Sequence, residues 1–200
     1  MINSSLKFNH KKATQGLNFF AIKSEGVINK MKAIKLAYFA DRYHLRKYGR
    51  PIFNDTYFAM QHGTVPSGLK DIAEITDYLS KDEKEYAIGF LEVVDENNFK
   101  SLRSIDTKVF SKSDIEALLF VWNKLGKYNQ YGLSRLSHNY PEWSQLKEDL
   151  EHQPRIRQDY GDFLKDPSDG YEKFHELKNK EREERLEYLE EMNRIESLWN

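Results

Sequence analysis

The sequence predicts a mainly α protein, a compact single domain of about seven helices with a small β-hairpin and a charged C-terminal helix. Apolar residues recur at intervals of three and four in several segments, which is the spacing of a buried helix face. Glycine and proline separate these segments. A chain of 200 residues with 39% hydrophobic content can enclose one ordinary core, so a second independent domain is not expected.

The first quarter of the chain predicts two helices. Residues 8–23 form the first, with Ala13 and Leu17 on one face. Residues 27–48 form a longer helix that is apolar around most of its circumference, as in helices that are buried on several sides. Gly49 then stands where a left-handed residue commonly ends a helix, and a proline follows two positions later.

Shorter elements follow in the middle of the chain. A turn containing proline and glycine precedes a short helix over residues 69–79. Residues 90–94 and 99–105 are rich in strand-forming residues and flank a polar turn. This pattern predicts the β-hairpin.

Three further helices are predicted before residue 150. Ser111 and Ser113 are alternative N-caps for the first, and Ser113 has a glutamate at the capping-box position. Gly126 ends this helix, and residues 129–138 form the next. Pro141 suits the first turn of the third.

The composition changes after Pro154. Residues 167–170 are typical of a loop, and a highly charged helical run begins at Tyr171 with apolar residues gathered at its two ends. We therefore divide the chain into a domain of residues 1–153 and a segment of residues 154–200, a linker followed by the charged C-terminal helix. That helix is either a solvated tail or an arm that binds a partner.

Composition also narrows the classes of protein to consider. The chain has no cysteine, which excludes disulfides, thiolate nucleophiles and cysteine-based zinc motifs. No apolar run approaches the roughly 20 residues of a membrane-spanning helix. The N-terminus lacks the apolar region of a signal peptide. We expect a cytoplasmic protein without membrane contact.

Charge is distributed unevenly. The first fifty residues contain eleven Lys or Arg and two acidic residues, a net charge of +9, so the remaining residues carry −10. One interpretation is that the acidic part complements the basic part within one molecule. The other is a basic face that attracts an acidic partner or nucleic acid.

The motifs of common catalytic sites are absent from the sequence. It contains no His-Glu-x-x-His, no Gly-x-Gly-x-x-Gly, no phosphate-binding loop and no nucleophile elbow. The six histidines include no pair four residues apart, and their spacing does not support a metal site built from Asp41, His44, His62 and His138. We expect no catalytic residue, no metal and no cofactor, and therefore no enzyme.

Asp41 interrupts the apolar face of the long helix between Tyr38 and Leu45. A carboxylate buried at this position must be hydrogen-bonded or paired, because its ionised form is otherwise costly. One interpretation is structural, with Asp41 accepting hydrogen bonds from a nearby loop such as the Gly63 turn. The other is a role in contacting a partner or in chemistry.

Two blocks of sequence carry a resemblance to a known family. Residues 27–69 contain a Tyr-Gly-Arg-Pro helix stop and a His-Gly-Thr-Val-Pro turn, and residues 110–143 contain a Ser-Asp-Ile-Glu helix start and a Leu-Ser-His ending before a tryptophan. In this order they resemble the Panacea domain, also called the SocA-like antitoxin domain, of bacterial toxin–antitoxin systems. One departure is Thr64, where the family commonly has proline in a Gly-Pro-Val-Pro turn.

The resemblance implies an antitoxin that neutralises a cognate toxin by direct protein–protein binding, in a type II-like system of a bacterium or phage. A variant of this function is a protease adaptor that delivers the toxin to a cellular protease for degradation. An alternative of a different class is a nucleic-acid-binding regulator that uses the basic N-terminal region. Aromatic residues and arginine dominate binding hot spots. We therefore predict partner contacts at Tyr38, Asp41, Arg42, Arg46, Tyr57, Gln61, His62, Leu189, Met192 and Trp199.

Overall fold

The computed structural model describes residues 7–198. Eight α-helices lie in this part of the chain: α1 (His10–Lys23), α2 (Lys30–Tyr48), α3 (Ser67–Glu74), α4 (Lys81–Ile88), α5 (Lys112–Leu125), α6 (Gln130–Ser137), α7 (Pro141–Ser144) and α8 (Asn179–Ser197). Within the described residues no helix is both long and apolar enough to span a bilayer.

Six short strands complete the fold: β1 (Val27–Asn29), β2 (Tyr57–Met60), β3 (Gly63–Pro66), β4 (Leu91–Val93), β5 (Asn98–Ser101) and β6 (Arg155–Arg157). Single turns of 3₁₀ helix cover Thr107–Val109 and Asp149–Glu151, and a longer one covers Tyr160–Leu164. The predicted mainly α fold is confirmed, with more β structure than the sequence indicates.

Both sheets are three-stranded and antiparallel. One has the order β1-β5-β4 and pairs Ile28 and Val93 with Phe99. The other has the order β3-β2-β6 and pairs Ala59 with Thr64. The β4–β5 hairpin lies where the sequence predicts one, whereas β1 and the second sheet were not predicted.

Helix α2 forms the centre of the molecule. It packs against α1, α3, α5 and α6, and residues 33–46 are all buried. A helix that is apolar around most of its circumference needs such surroundings, because any exposed side would leave apolar surface in water. The polar residues that remain inside the helix must therefore find partners within the protein.

The ends of α2 show what the sequence predicts and what it does not. The predicted start at residue 27 is wrong, because Val27–Asn29 pair with β5 and the Asn29 side chain caps the helix by accepting a hydrogen bond from the Lys32 amide at 3.1 Å. The predicted end is confirmed: Gly49 has a φ of +76°, which glycine adopts without steric cost.

Helix α5 begins with a capping box formed by Ser111 and Asp114. The Ser111 hydroxyl accepts from the Asp114 amide at 3.2 Å, and the Asp114 carboxylate accepts from the Ser111 amide at 2.9 Å. Of the two N-caps that the sequence left open, the structure therefore selects Ser111. The Ser113 hydroxyl instead lies 3.0 Å from the His44 ring.

The segment after Pro154 packs on the rest of the protein. Strand β6 joins β2, and the chain then buries apolar side chains that extend the core. The charged helix begins at Asn179 rather than at Tyr171. The structure thus has ordered, buried chain where the sequence predicts a linker, although the division at residue 153 itself stays a prediction. The side chains concerned are Tyr160, Phe163, Leu164, Phe174 and Leu177.

Candidate functional site

Asp41 lies in α2 and holds the chain that follows the helix. Its carboxylate accepts hydrogen bonds from the Ile52 amide at 2.5 Å, the Phe53 amide at 3.3 Å and the Tyr57 hydroxyl at 2.7 Å. Burial raises the pKa of Asp41 to about 7, against the three donors, which favour the ionised form. Both carboxylate oxygens are thus used inside the molecule, and the loop they bind is residues 52–53 rather than the Gly63 turn.

Asp55 fixes the start of α3. It accepts hydrogen bonds from the backbone amides of Gly68 and Leu69, both at 2.8 Å, and from its neighbour Thr56 at 2.7 Å. These amides lack partners in the first turn of a helix, and a negative charge is favourable there. Burial raises the pKa of Asp55 to about 6. The two acids of this block therefore shape the chain between α2 and α3.

A buried ion pair joins α2 to α7. Arg42 donates through Nη1 to both oxygens of Glu142, at 2.7 and 2.6 Å, and Tyr38 donates to Glu142 Oε1 at 2.5 Å. The guanidinium also lies 4.5 Å from the centre of the Tyr140 ring and donates to the Lys165 carbonyl at 2.8 Å. One guanidinium nitrogen thus contacts both carboxylate oxygens, and these charge-assisted hydrogen bonds offset part of the cost of burying two charges.

Arg46, one turn further along α2, binds the C-terminal segment. Its Nη1 donates to the carbonyls of Leu164 at 2.7 Å and Lys165 at 3.0 Å, and its Nη2 pairs with Asp166 at 2.6 Å. Its Nε donates to the carbonyl of His175 at 3.0 Å. Burial lowers the pKa of Arg46 to about 10, which still leaves the group charged at neutral pH. Arg46 therefore ties residues 164–175 to the central helix.

Helix α8 is fastened to the same place. Arg185 donates to the carbonyls of Arg46 and Lys47, the latter at 3.0 Å, and so satisfies two of the last carbonyls of α2. Arg182 donates to the Leu164 carbonyl at 3.0 Å. The first half of α8 is therefore anchored by its arginines, whereas Ile195 and Leu198 at its far end are exposed.

Half of the residues predicted to contact a partner prove to be internal. The structure places them in the protein interior, where each bonds to the chain itself. Arginine and tyrosine are typical of binding surfaces, but the same groups can saturate buried carboxylates and carbonyls. A partner could touch these side chains only if the chain opened here. They are Tyr38, Asp41, Arg42, Arg46 and Tyr57.

Of the other five predicted contact residues, the structure describes four, which lie in two places. Gln61 and His62 are exposed in the turn between β2 and β3. On α8, Leu189 is buried and Met192 is half-buried. Trp199 lies outside the described residues.

A groove of about 950 Å³ opens beside the β2–β3 turn. It lies between the start of α2, the turn, α6 and the chain from α7 to residue 154. Its lining is mostly apolar, with several charged groups around it. The lining residues include Met31, Ile34, Lys35, Met60, His62 and Trp143.

Lys35, His62 and Lys147 line one side of this groove, and their charges act on the nearby His138; we call these four residues the basic cluster. Lys35 is 1% exposed and donates to the Thr64 carbonyl at 2.6 Å. Burial lowers the pKa of Lys35 to about 7. Burial, and then the charges of Lys35, His62 and Lys147, lower the pKa of His138 to about 4.

The wall of the groove holds this cluster in place. The His138 ring stacks on Trp143 with centroids 3.8 Å apart, and Trp143 Nε1 donates to the Met60 carbonyl at 2.8 Å. Gly63 has a φ of +94°, and a β-carbon built on it would lie 2.0 Å from Ser137 Oγ. Glycine is therefore required both for the turn and for the close approach of α6.

Several basic side chains of the first fifty residues are bonded within the molecule. Lys12 and Arg50 both pair with Asp114, at 2.7 and 2.9 Å, and Lys32 donates to the Gly126 carbonyl at 2.7 Å. Together with the buried Arg42 and Arg46, these contacts support the interpretation of the uneven charge as complementarity within one molecule.

His44 of α2 follows the same pattern. His44 lies with Nδ1 2.7 Å from the Arg50 carbonyl and Nε2 3.0 Å from Ser113 Oγ. Burial lowers the pKa of His44 to about 4, so the ring is neutral at physiological pH. Within residues 7–198, no group of three or more His, Asp or Glu side chains is arranged to hold a metal ion.

Comparison with known protein families identifies the region that contains most of these residues. The family model described as the SocA-like antitoxin, Panacea domain, matches residues 34–144, more than half of the chain. The chain belongs to the SocA-like Panacea family. No curated protein and no solved structure matches it.

The Panacea match begins in α2 and ends with α7. It contains Asp41, Asp55 and the Arg42–Glu142 pair, and it contains three of the four residues of the basic cluster, Lys147 being just outside. The predicted resemblance is therefore confirmed over residues 34–144, which contain the second sequence block and all but residues 27–33 of the first. The carbonyls that Arg46 binds lie beyond the match, in the C-terminal segment.

The sequence analysis did not single out Lys35 or Glu142, and it named His138 only within a metal site that the histidine spacing does not support. A signal existed for Lys35, which is the one charged residue in the run Ala33 to Ala40. A lysine flanked by apolar residues on every helical face has to be buried in part. His138 and Glu142 offered no comparable signal. The partner of Glu142 is about a hundred residues away in the chain, and the ring on which His138 stacks belongs to a different element.

Proposed function

We propose that this chain is an antitoxin that binds a cognate toxin protein and neutralises it by direct contact, in a type II-like toxin–antitoxin system. The observation that carries the proposal is the match of residues 34–144 to the SocA-like Panacea antitoxin family. The partner is then a toxin, made by the same bacterium or phage.

The structure supports a binding function in a second way. The polar groups of the family region that could have done chemistry are bonded to the chain itself, Asp41 to three donors and Glu142 to two side chains. The groove at the β2–β3 turn remains as a concave, largely apolar surface with Trp143 in its wall, which suits binding of another protein. We accordingly propose that the chain acts by binding and not by catalytic turnover.

The protease-adaptor variant shares the toxin contact and differs in the fate of the toxin. Direct neutralisation leaves the amount of toxin unchanged, whereas delivery to a protease lowers it. The exposed end of α8, with Ile195 and Leu198, is the described surface that such a second partner could use. The amount of toxin in the cell therefore separates the two.

Co-expression tests the proposal. The product of the neighbouring gene is induced in a bacterial host with and without this chain, and growth and toxin level are measured together. We expect the neighbour alone to stop growth and the full chain to restore it without lowering the toxin level. A harmless neighbour, or one that remains toxic with the chain present, would contradict the proposal.

A variant provides the matched control. Phe39→Asp places a charge in the core at a side chain that is fully buried, so the chain should not fold and should not restore growth. Tyr78→Asp changes an aromatic residue that is 90% exposed and should restore growth as the native chain does. Restoration by the Phe39 variant would show that rescue does not depend on the folded protein.

A further inference from the structure

The basic cluster is the part of the groove whose charge is not balanced. Among residues 7–198, no carboxylate forms an ion pair with Lys35, His62, His138 or Lys147, and the side-chain charges that lower the pKa of His138 are all positive. Burial and these charges keep the His138 ring neutral near pH 7, so the positive charge of the cluster rests mainly on Lys35 and Lys147. A negatively charged group placed beside the buried Lys35 ammonium would supply the ion pair that it lacks.

The other two lysines at the groove have different partners. Lys70 pairs with the carboxylate of Glu74 at 2.6 Å, four residues along α3. Lys30 donates to the carbonyls of Asp95 and Glu96 at 3.0 and 2.9 Å and, unlike Lys35, is not buried. The buried charge without a carboxylate partner therefore lies on the side formed by α2, the β2–β3 turn and the chain around α7.

Lys35 has bonding capacity left over. An ammonium group has three N–H donors, and the hydrogen bond to the Thr64 carbonyl uses one. A β-carbon on Gly63 would lie 3.0 Å from Lys35 Nζ and 2.0 Å from Ser137 Oγ, so the glycine lets the ammonium and α6 both approach the turn closely. His138 Nε2 is also buried and has no hydrogen-bond partner. Buried polar groups left in this state cost free energy until a ligand satisfies them.

We propose that the groove receives an acidic side chain of the toxin, an Asp or Glu carried on an apolar loop, with its carboxylate between Lys35 and His62. This rests on the proposed function and specifies the surface of the toxin that is held. The apolar part of the loop packs on Met31, Ile34 and Met60. A charge-assisted bond in this water-poor wall fixes the register of the complex.

The surroundings favour a single carboxylate over a polyanion. Glu96 and Glu151 lie on the rim of the groove and would repel a nucleic-acid backbone, which presents many charges at once. A single carboxylate at the basic cluster would not approach Glu96 and Glu151 as a chain of phosphates would. The apolar lining likewise suits a peptide segment better than a phosphate chain.

A lysine pair tests the proposal against the toxin. Lys35→Met removes the charge and keeps a side chain of similar length, and Lys70→Met makes the same change at a groove lysine that already has a partner. Affinity for the toxin identified by co-expression is measured by calorimetry. We expect Lys35→Met to weaken binding at least about tenfold, or roughly 1.4 kcal/mol, and Lys70→Met to change it less than about threefold. Equal effects of the two substitutions would overturn the proposal.

A peptide titration tests it on the native chain, independently of any toxin or variant. Acetyl-Leu-Glu-Leu-amide and acetyl-Leu-Gln-Leu-amide are added separately to the ¹⁵N-labelled protein, and the indole N–H signal of Trp143 is followed. We expect the acidic peptide to shift this signal and the neutral one to shift it far less. Equal shifts, no shift, or a larger shift with the oligonucleotide dT10 would overturn the acidic site even where co-expression restores growth.

Discussion

Phe174 provides the sharpest test of how the C-terminal segment relates to the core. Its ring is fully buried and lies 5.2 Å from the centre of Phe39, 5.6 Å from that of Tyr140 and 6.5 Å from that of Phe120. Phe174→Ala should therefore lower the free energy of unfolding by about 3–5 kcal/mol, the usual loss for a phenylalanine removed from a packed core. That is a large share of the roughly 5–15 kcal/mol that stabilises a domain.

Urea denaturation followed by near- and far-UV circular dichroism measures this loss. Tyr171→Ala is the control, since Tyr171 lies three residues before Phe174 and is 42% exposed. We expect this substitution to lower the free energy of unfolding by less than about 0.5 kcal/mol. A loss below about 1 kcal/mol for Phe174→Ala would refute the reasoning. The segment would then be a detachable arm, and a chain truncated after Asp169 would fold as well as the whole.

Two further predictions concern α2. Asp41→Ala leaves three buried donors without an acceptor, and at about 1–3 kcal/mol for each such group the variant should lose at least about 3 kcal/mol in urea denaturation, with the exposed Asp77→Ala unchanged. The pKa of Lys35 falls from 10.5 to about 7 on folding, so between these values the unfolded chain binds more protons and stability should rise with pH. Lys35→Met should be more stable than the native chain below pH 7 and should lack this rise between pH 7 and pH 10. A native chain whose stability is flat across this range would show that the ammonium is not desolvated.

The sequence predicts the features whose cause is local. The stop at Gly49 and a serine cap of α5 depend on residues within four positions and are found, although the capping box is Ser111 with Asp114 and not Ser113 with Glu116. The start of α2 was placed three residues too early, because β1 exists through its pairing with Asn98–Ser101 and no local pattern reports that pairing.

The candidate site was predicted less well, for a related reason. Arg42 and Arg46 carry charge, which favours exposure when no partner is in view. Their partners are Glu142 and Asp166, each at least 100 residues further along the chain. His62 was predicted as a contact residue from its turn, whereas Lys35 gains significance only when the groove brings it beside His62 and His138.

The guanidinium groups of α2 also make the order of synthesis matter. A chain leaves the ribosome from its N-terminus, so Arg42 and Arg46 emerge well before the carbonyls of residues 163–175 that they bind. For Arg46 these carbonyls are 117 to 129 positions later in the chain. Glu142 can pair with Arg42 once it has emerged, but Arg46 has no acceptor until residues 163–175 follow, so α2 cannot be enclosed before then without burying Arg46 unpaired. We expect nascent chains that stop short of residue 175 to remain incompletely folded. Folding therefore requires the chain to extend to about residue 175. A copy shortened before that point by early termination would be left exposed to cellular proteases.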